Sequence, residues 1–385
     1  MRTALTGGDI LVSGFWHKGA TLLFEDGKTV AILKAGESFE ADHTTDIKGH
    51  KLVPGFVDVQ VNGGGGALLN DDLTVDGVRT IAEAHRPYGT TSMLPTLISD
   101  DLAIVGKAIA VVDQALKEGV PGIAGIHIEG PCLSREKKGI HDETKFRAVD
   151  DAFIEVLERF KNGAVVVTVA PEQATPEMVA RMAGSGMRVC LGHTNATYEA
   201  AMDCIRAGAT GFTHLHNAMS PLTSRAPGVV GAALDTRTTF AGIIADGFHV
   251  HPASLRAALY AKGADHMMLV TDAMPCVGAK DKNFILQGKA IMVVDGMATG
   301  PDGTLAGSDL DMAAAVRNAV SMMGVPLDTA VRMASMSPAR FLGLENEIGD
   351  IRPGLKADYV LLDAKNRARK VWTNGVAHDG IAFEG

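Results

Sequence analysis

The chain has 385 residues, 46% of them apolar, and carries 36 basic against 45 acidic side chains for a net charge of −9. That length buries a core sufficient for two or three domains, or for one large barrel with an accessory unit. The acidic balance excludes a partner held by a basic surface, nucleic acid or an anionic membrane, and no apolar run approaches the roughly 18 residues of a membrane span.

The N-terminal stretch "MRTALTGGDILVSG" lacks the apolar centre of a secretory signal. Cys132, Cys190, Cys204 and Cys276 are scattered without a CxxC pair, so the chain reads as reduced and cytoplasmic with free thiols. Residues 1–51 ("DILVSG", "ATLLFEDGKTVAIL") are short strands with glycine turns and no helical periodicity. The tail 346–385, with "ADYVLLD" and "KVWTNGVAHDG", has the same character. Ends that are alike, around a middle that differs, predict one small β-sandwich domain built from both termini.

From residue 52 to 345 apolar strands alternate with amphipathic helices. "KLVPGFVDVQVNG", "TTSMLPTL", "GIAGIHIEGP", "AVVVTVAPE", "MRVCLGHTN", "ATGFTHLHN", "TFAGIIADGFH" and "HMMLVTDAM" are eight nearly continuous apolar runs, as strands buried on both faces are. Between them, "DDLAIVGKAIAVVDQALKEG" and "ATYEAAMDCIRAGA" show the i, i+3, i+4 spacing of helices that end at glycine. The pattern predicts an α/β fold, a TIM-like (β/α)8 barrel.

In such a barrel the chemistry gathers at the C-terminal ends of the strands. Five predicted ends carry a polar residue suited to it: Glu129, His193, His214, His249 and Asp272. A lone histidine in an apolar run is ordinarily a satisfied core residue. Strand ends in a closed ring face one mouth, however, so Glu129, His193 and His214 are able to converge as the His/His/carboxylate set of a catalytic metal site.

The set "HIEGP", "GHTNAT", "THLHNAM", "IIADGFHV", "LVTDA" and "GTLAGSDL" resembles the N-acetylglucosamine-6-phosphate deacetylase family of the amidohydrolase superfamily, from "LVPGFVDVQVNG" to "KADYVLLD". The resemblance implies Glu129, His193 and His214 as ligands of one divalent transition metal per chain, zinc with iron as the alternative. It implies Asp272 as catalytic acid/base. Its substrate contacts fall on Ile140, His141, Asn217, Ala218, Arg225, Asp246, Gly247, Phe248, His249, Leu305, Ala306 and Gly307. The implied reaction is hydrolysis of the acetamide of N-acetyl-D-glucosamine 6-phosphate. The galactosamine epimer as substrate, and a catalytically silent barrel scaffold, are the alternatives.

The chemistry is consistent with those roles. A divalent metal acidifies water and polarises an amide that is otherwise inert at neutral pH. Asp272 would take the proton of the attacking water and return it to the departing nitrogen, with His141 a donor to the developing oxyanion. Arg225 offers the bidentate fork a phosphate needs, and backbone N–H groups at Asn217–Ala218 add to it. Relatives are dimers in which the matching arginine serves the neighbouring subunit, so Arg225 is expected to cross a homodimer interface.

Two positions depart from the wider superfamily. Where many members place His-x-His on the first strand for a second metal, this chain has Gln60 and Asn62, weak ligands beside imidazole. His216, at a position where relatives often carry an aromatic residue, is expected to line the pocket rather than bind metal, and Cys132 to be an inert pocket thiol.

Overall fold

The computed structural model describes residues 1–380. The chain is organised around eight strands: β1 (Phe56–Val61), β2 (Thr90–Ile98), β3 (Gly125–Glu129), β4 (Ala164–Val169), β5 (Arg188–Leu191), β6 (Gly211–Phe212), β7 (Phe240–Ile243) and β8 (Met267–Leu269). They form one parallel sheet in chain order. A parallel bridge between Val61 and Ala273 brings the segment after β8 back to β1 and closes the ring.

The first expected strand divides in two. Lys51–Pro54 pairs with Arg2–Val12 and Tyr359–Leu362 in another sheet, and the chain enters the barrel only at Phe56. Gly55 makes the crossing, where an added Cβ would stand 2.1 Å from Thr91 Oγ1. Every residue of β1 is buried. Val57, Val59 and Val61 join the large apolar core, whereas the alternate positions Asp58 and Gln60, with Asn62 just beyond, carry buried polar groups. Asp58 is paired within the barrel, accepting from Thr271 Oγ1 at 2.5 Å.

Helices cover the outside. Leu102–Lys117 and Tyr198–Arg206 occupy the two segments read as helical. Thr197 starts the second by accepting from the Ala200 N–H at 3.3 Å, and Glu199 lies in its positive first turn.

The terminal segments form an eight-stranded sheet in the order Val376–Asp379, Ala368–Thr373, Tyr359–Leu362, Lys51–Pro54, Arg2–Val12, Phe15–Glu25 and Lys28–Leu33, with His43–Asp46 also paired to Arg2–Val12. Its interior holds Leu5, Ile10, Leu22, Phe24 and Leu52 from the N-terminal part and Tyr359, Leu361 and Trp372 from the tail. The fold is therefore a TIM-like barrel with a small β-sandwich to which both ends of the chain contribute. Residues 381–385 of the predicted tail lie outside the described residues.

A further antiparallel sheet, Phe284–Leu286, Lys289–Val294, Met297–Thr299 and Leu305–Ser308, has no counterpart in the strand–helix alternation. Its Leu286, Ile291, Ala298 and Ala306 pack on Leu68, Ile98, Ile140 and Met274 beside the C-terminal end of the barrel. The Ala273–Ser308 bridge ties its last strand to the segment after β8. The structure thus places a roof next to the strand ends where polar residues were expected.

Candidate metal centre and active site

Glu129 is the last residue of β3, and His193, His214 and Asp272 follow β5, β6 and β8 within three residues. The last three leave their strands in the left-handed region, with φ of +47°, +32° and +52°. These are uncommon values for side chains other than glycine, a form of strain found at functional sites.

The ligand atoms of Glu129, His193 and His214 all lie within 4.8 Å of one another, and all three residues are buried. Glu129 Oε1 stands 2.9 Å from His214 Nε2 and 3.2 Å from His193 Nε2, and the two imidazole nitrogens are 3.0 Å apart. His193 Nδ1 donates to the Lys137 carbonyl at 2.8 Å, which leaves a lone pair on Nε2. A lone pair, a second imidazole nitrogen and a carboxylate oxygen aimed at one point repel one another unless a positive charge sits among them. The donor set fits a divalent cation, and the Lys137 carbonyl is the outer partner that fixes a ligating histidine.

Asp272 sits beside this cage rather than in it. Gln60 Nε2 donates both to Glu129 Oε2 at 3.0 Å and to Asp272 Oδ1 at 3.2 Å, and Asn62 Nδ2 donates to Asp272 Oδ1 at 2.7 Å. Turning either amide over would set oxygen against carboxylate, so the nitrogens are fixed in place. Burial, and then the Glu129 charge, raise the Asp272 carboxyl to about 6 against the lowering pull of His214, His249 and the Asn62 bond.

His141 is buried, its ring centroid 4.4 Å from that of His193. Its Nδ1 lies 2.8 Å from Ser99 Oγ and 3.3 Å from the Ser99 backbone N–H. Burial, with the neighbouring His193, lowers the ring to about 3, so it is neutral.

These groups surround a cavity of about 340 Å³. Of the residues singled out in the sequence, its walls include Glu129, Ile140, His141, His193, His214, Asn217, Ala218, His249, Asp272, Leu305 and Gly307. Gly307 is required there: at φ +59° a Cβ would come within 2.7 Å of Met274 Cγ and 2.8 Å of the Asp272 carbonyl.

Asp246, Gly247, Phe248, Ala306 and Arg225 stand outside the walls. Asp246 accepts from His249 Nδ1 at 2.6 Å, so it reaches the cavity only through its neighbour. Ala306 is packed in the apolar cluster under the roof, and Phe248 and Arg225 are exposed. His216, expected to line the pocket, is also outside the walls, on a residue whose φ is +82°.

The sequence reading missed Ile98, Glu136, Lys137, Gly139, Met274 and Thr304 as wall residues, and Ser99 as the partner of His141. None of them carries a distinctive signal in the sequence, Ser99 being a polar residue after a strand, a common occurrence.

A parallel barrel with a buried two-histidine, one-carboxylate cage and an aspartate at its mouth defines a metal-dependent hydrolase. The amidohydrolase family's sequence profile matches residues 52–381, and the chain belongs to that family. Within it, the chain is 43% identical to the N-acetylgalactosamine-6-phosphate deacetylase of Shewanella sp. (strain ANA-3), over 96% of this chain and 94% of that one. It is 35% identical to the N-acetylglucosamine-6-phosphate deacetylase of Haemophilus influenzae, over 90% of this chain and 91% of that one. The crystal structure of N-acetylglucosamine-6-phosphate deacetylase from Pasteurella multocida superposes with a TM-score of 0.95 at 35% identity, covering 99% of this chain and 100% of that one.

Proposed function

We propose that the protein hydrolyses the acetamide of N-acetyl-D-glucosamine 6-phosphate to D-glucosamine 6-phosphate and acetate. The observation that carries the reading is the cage of Glu129, His193 and His214 with Asp272 joined to it through one Gln60 nitrogen, in a single cavity. Glu129, His193 and His214 would hold one divalent metal, zinc or iron, which when bound would supply Lewis acidity and a more acidic water near neutral pH. Asp272 takes a proton from the attacking water and delivers it to the glucosamine nitrogen as the C–N bond breaks. His141 donates to the acetyl oxygen as charge builds there. The walls at Ile140, Asn217, Ala218, His249, Leu305 and Gly307 hold the sugar phosphate, Asp246 orients His249, Gly247 and Phe248 shape the adjoining turn, and Ala306 backs the wall from beneath the roof. Arg225 is assigned to the phosphate held by the other subunit of a homodimer.

The terminal segments, read from the sequence as 1–51 and 346–385, serve as an accessory unit to the catalytic barrel, with Lys51–Pro54 belonging to their sheet rather than to the barrel. Four buried cysteines without a disulfide support a reducing compartment, the cytoplasm. Among the described residues no helix is long and apolar enough to cross a membrane.

The 43% identical Shewanella protein favours a second reading, in which the galacto epimer is the substrate. Acetate release from both N-acetylhexosamines, each with and without the 6-phosphate, decides the matter. The gluco 6-phosphate is expected to give the highest kcat/KM; a higher value for the galacto 6-phosphate would reassign the substrate. No release from any of the four would overturn the assignment.

A further inference from the structure

Ser99 reaches the reaction only through His141, and it does so in a way that sets where the ring carries its proton. A hydroxyl 2.8 Å from Nδ1 is able to donate or accept, but the Ser99 backbone N–H, 3.3 Å from the same nitrogen, only donates. Nδ1 is therefore an acceptor, and the proton of the neutral imidazole resides on Nε2, on a ring that forms part of the cavity wall. The opposite tautomer would set two N–H groups against each other in a site where Ser99 has no exposed surface.

A second observation shows that Ser99 is itself held. The roof's first hairpin pairs Leu286 with Lys289 across a two-residue turn, Gln287–Gly288, with φ of +49° and +78°. Asparagine, aspartate or glycine is the usual occupant of the first position of such a turn. Here glutamine occupies it, and its Nε2 donates to the Ser99 carbonyl at 3.2 Å. An unfavoured backbone position whose side chain reaches the group behind the catalytic histidine has a reason to persist.

We propose that Ser99 is a positioning residue that fixes His141 as the Nε2–H tautomer, making it a donor to the substrate's carbonyl oxygen, and that Gln287 clamps Ser99 from the roof. The inference rests on the reading of His141 as that donor, and the experiment separates the two.

Protein labelled with 15N-histidine is compared by NMR, metal-free and metal-loaded, as wild type, His141→Ala, Ser99→Ala, Ser99→Thr and Gln287→Ala, with kcat, KM and metal content measured on each. The His141 signals are assigned by their loss in His141→Ala. Wild type should show an unprotonated Nδ1 and a protonated Nε2. Ser99→Ala keeps the backbone N–H but removes the shorter hydroxyl bond, so it should perturb the Nδ1 signal and lower kcat by roughly tenfold with KM and metal content unchanged, less than the roughly 10²–10³-fold expected when the whole donor is lost in His141→Ala. Ser99→Thr should restore both readouts. Gln287→Ala, on a surface hairpin, should shift Nδ1 in the same direction and keeps the proposal testable if Ser99→Ala folds poorly. A proton on Nδ1 in wild type, or wild-type signals and kcat in both Ser99→Ala and Gln287→Ala, would overturn the inference while leaving His141 as donor. An unchanged kcat in His141→Ala would instead remove the donor role itself.

Discussion

Asp272 differs from the cage residues in what it touches: two amide nitrogens hold its Oδ1, whereas Glu129, His193 and His214 point their ligand atoms at one another. Asp272→Asn should therefore retain metal and fold while kcat falls by roughly 10²–10⁴-fold, the scale of a lost general acid/base. Metal analysis beside the kinetics checks this, and loss of metal together with activity would make Asp272 a ligand. His193→Asn and Glu129→Gln should release the metal instead. These residues were legible in the sequence because a titratable side chain at the end of an apolar strand is conspicuous. Ser99 and Gln287 were not, since serine after a strand and glutamine in a hairpin are ordinary occurrences whose meaning appears only when chain 188 positions apart meets at one hydrogen bond.

At the level of elements, β1 and the residue beyond it place hydrogen-bond donors where paired histidines would bind a second cation. Gln60 and Asn62 present N–H donors to the two carboxylates, supplying by hydrogen bonds part of the positive field that paired histidines would recruit as a metal. Purified protein should then hold close to one transition metal per chain by elemental analysis, and Gln60→His combined with Asn62→His should raise the figure. Two equivalents resistant to mild chelation in the unaltered protein would contradict this. The eight barrel strands were readable because strands covered on both faces are apolar throughout. The break at Gly55 and the roof were not. A crossing between sheets leaves an apolar run unbroken, and roof strands of three to six residues with Ile285, Met292 and Val294 exposed show no dependable alternation.

For the whole molecule, the position of Arg225 has a consequence for assembly. It is exposed and outside the cavity walls of its own chain, eleven residues beyond His214, which favours service to a neighbouring site. Arg225→Ala should weaken phosphorylated substrates most, by roughly 1.5–3 kcal/mol of charge-assisted binding. Arg225→Ala and Asp272→Asn chains, unfolded and reassembled together, should regain about a quarter of wild-type activity, because half the random dimers are mixed and a two-fold dimer then has one intact site of two. Recovery no greater than the mean of the mutants, with mixed dimers demonstrated, would assign Arg225 to its own subunit.

The same centre also governs how well the empty protein withstands heat. Two buried acids sharing one Gln60 nitrogen, beside residues in left-handed conformations, form an arrangement that apolar packing must sustain until a cation binds and stabilises the folded state by mass action. Catalytic competence is here in tension with durability. Stripped of metal, the inactive Asp272→Asn protein should melt about 2 °C or more above wild type, since roughly 1 kcal/mol moves a large domain by that amount. Calorimetry in chelator reads the difference, and a lower melting temperature for the variant would show that the empty centre places no such burden on the fold.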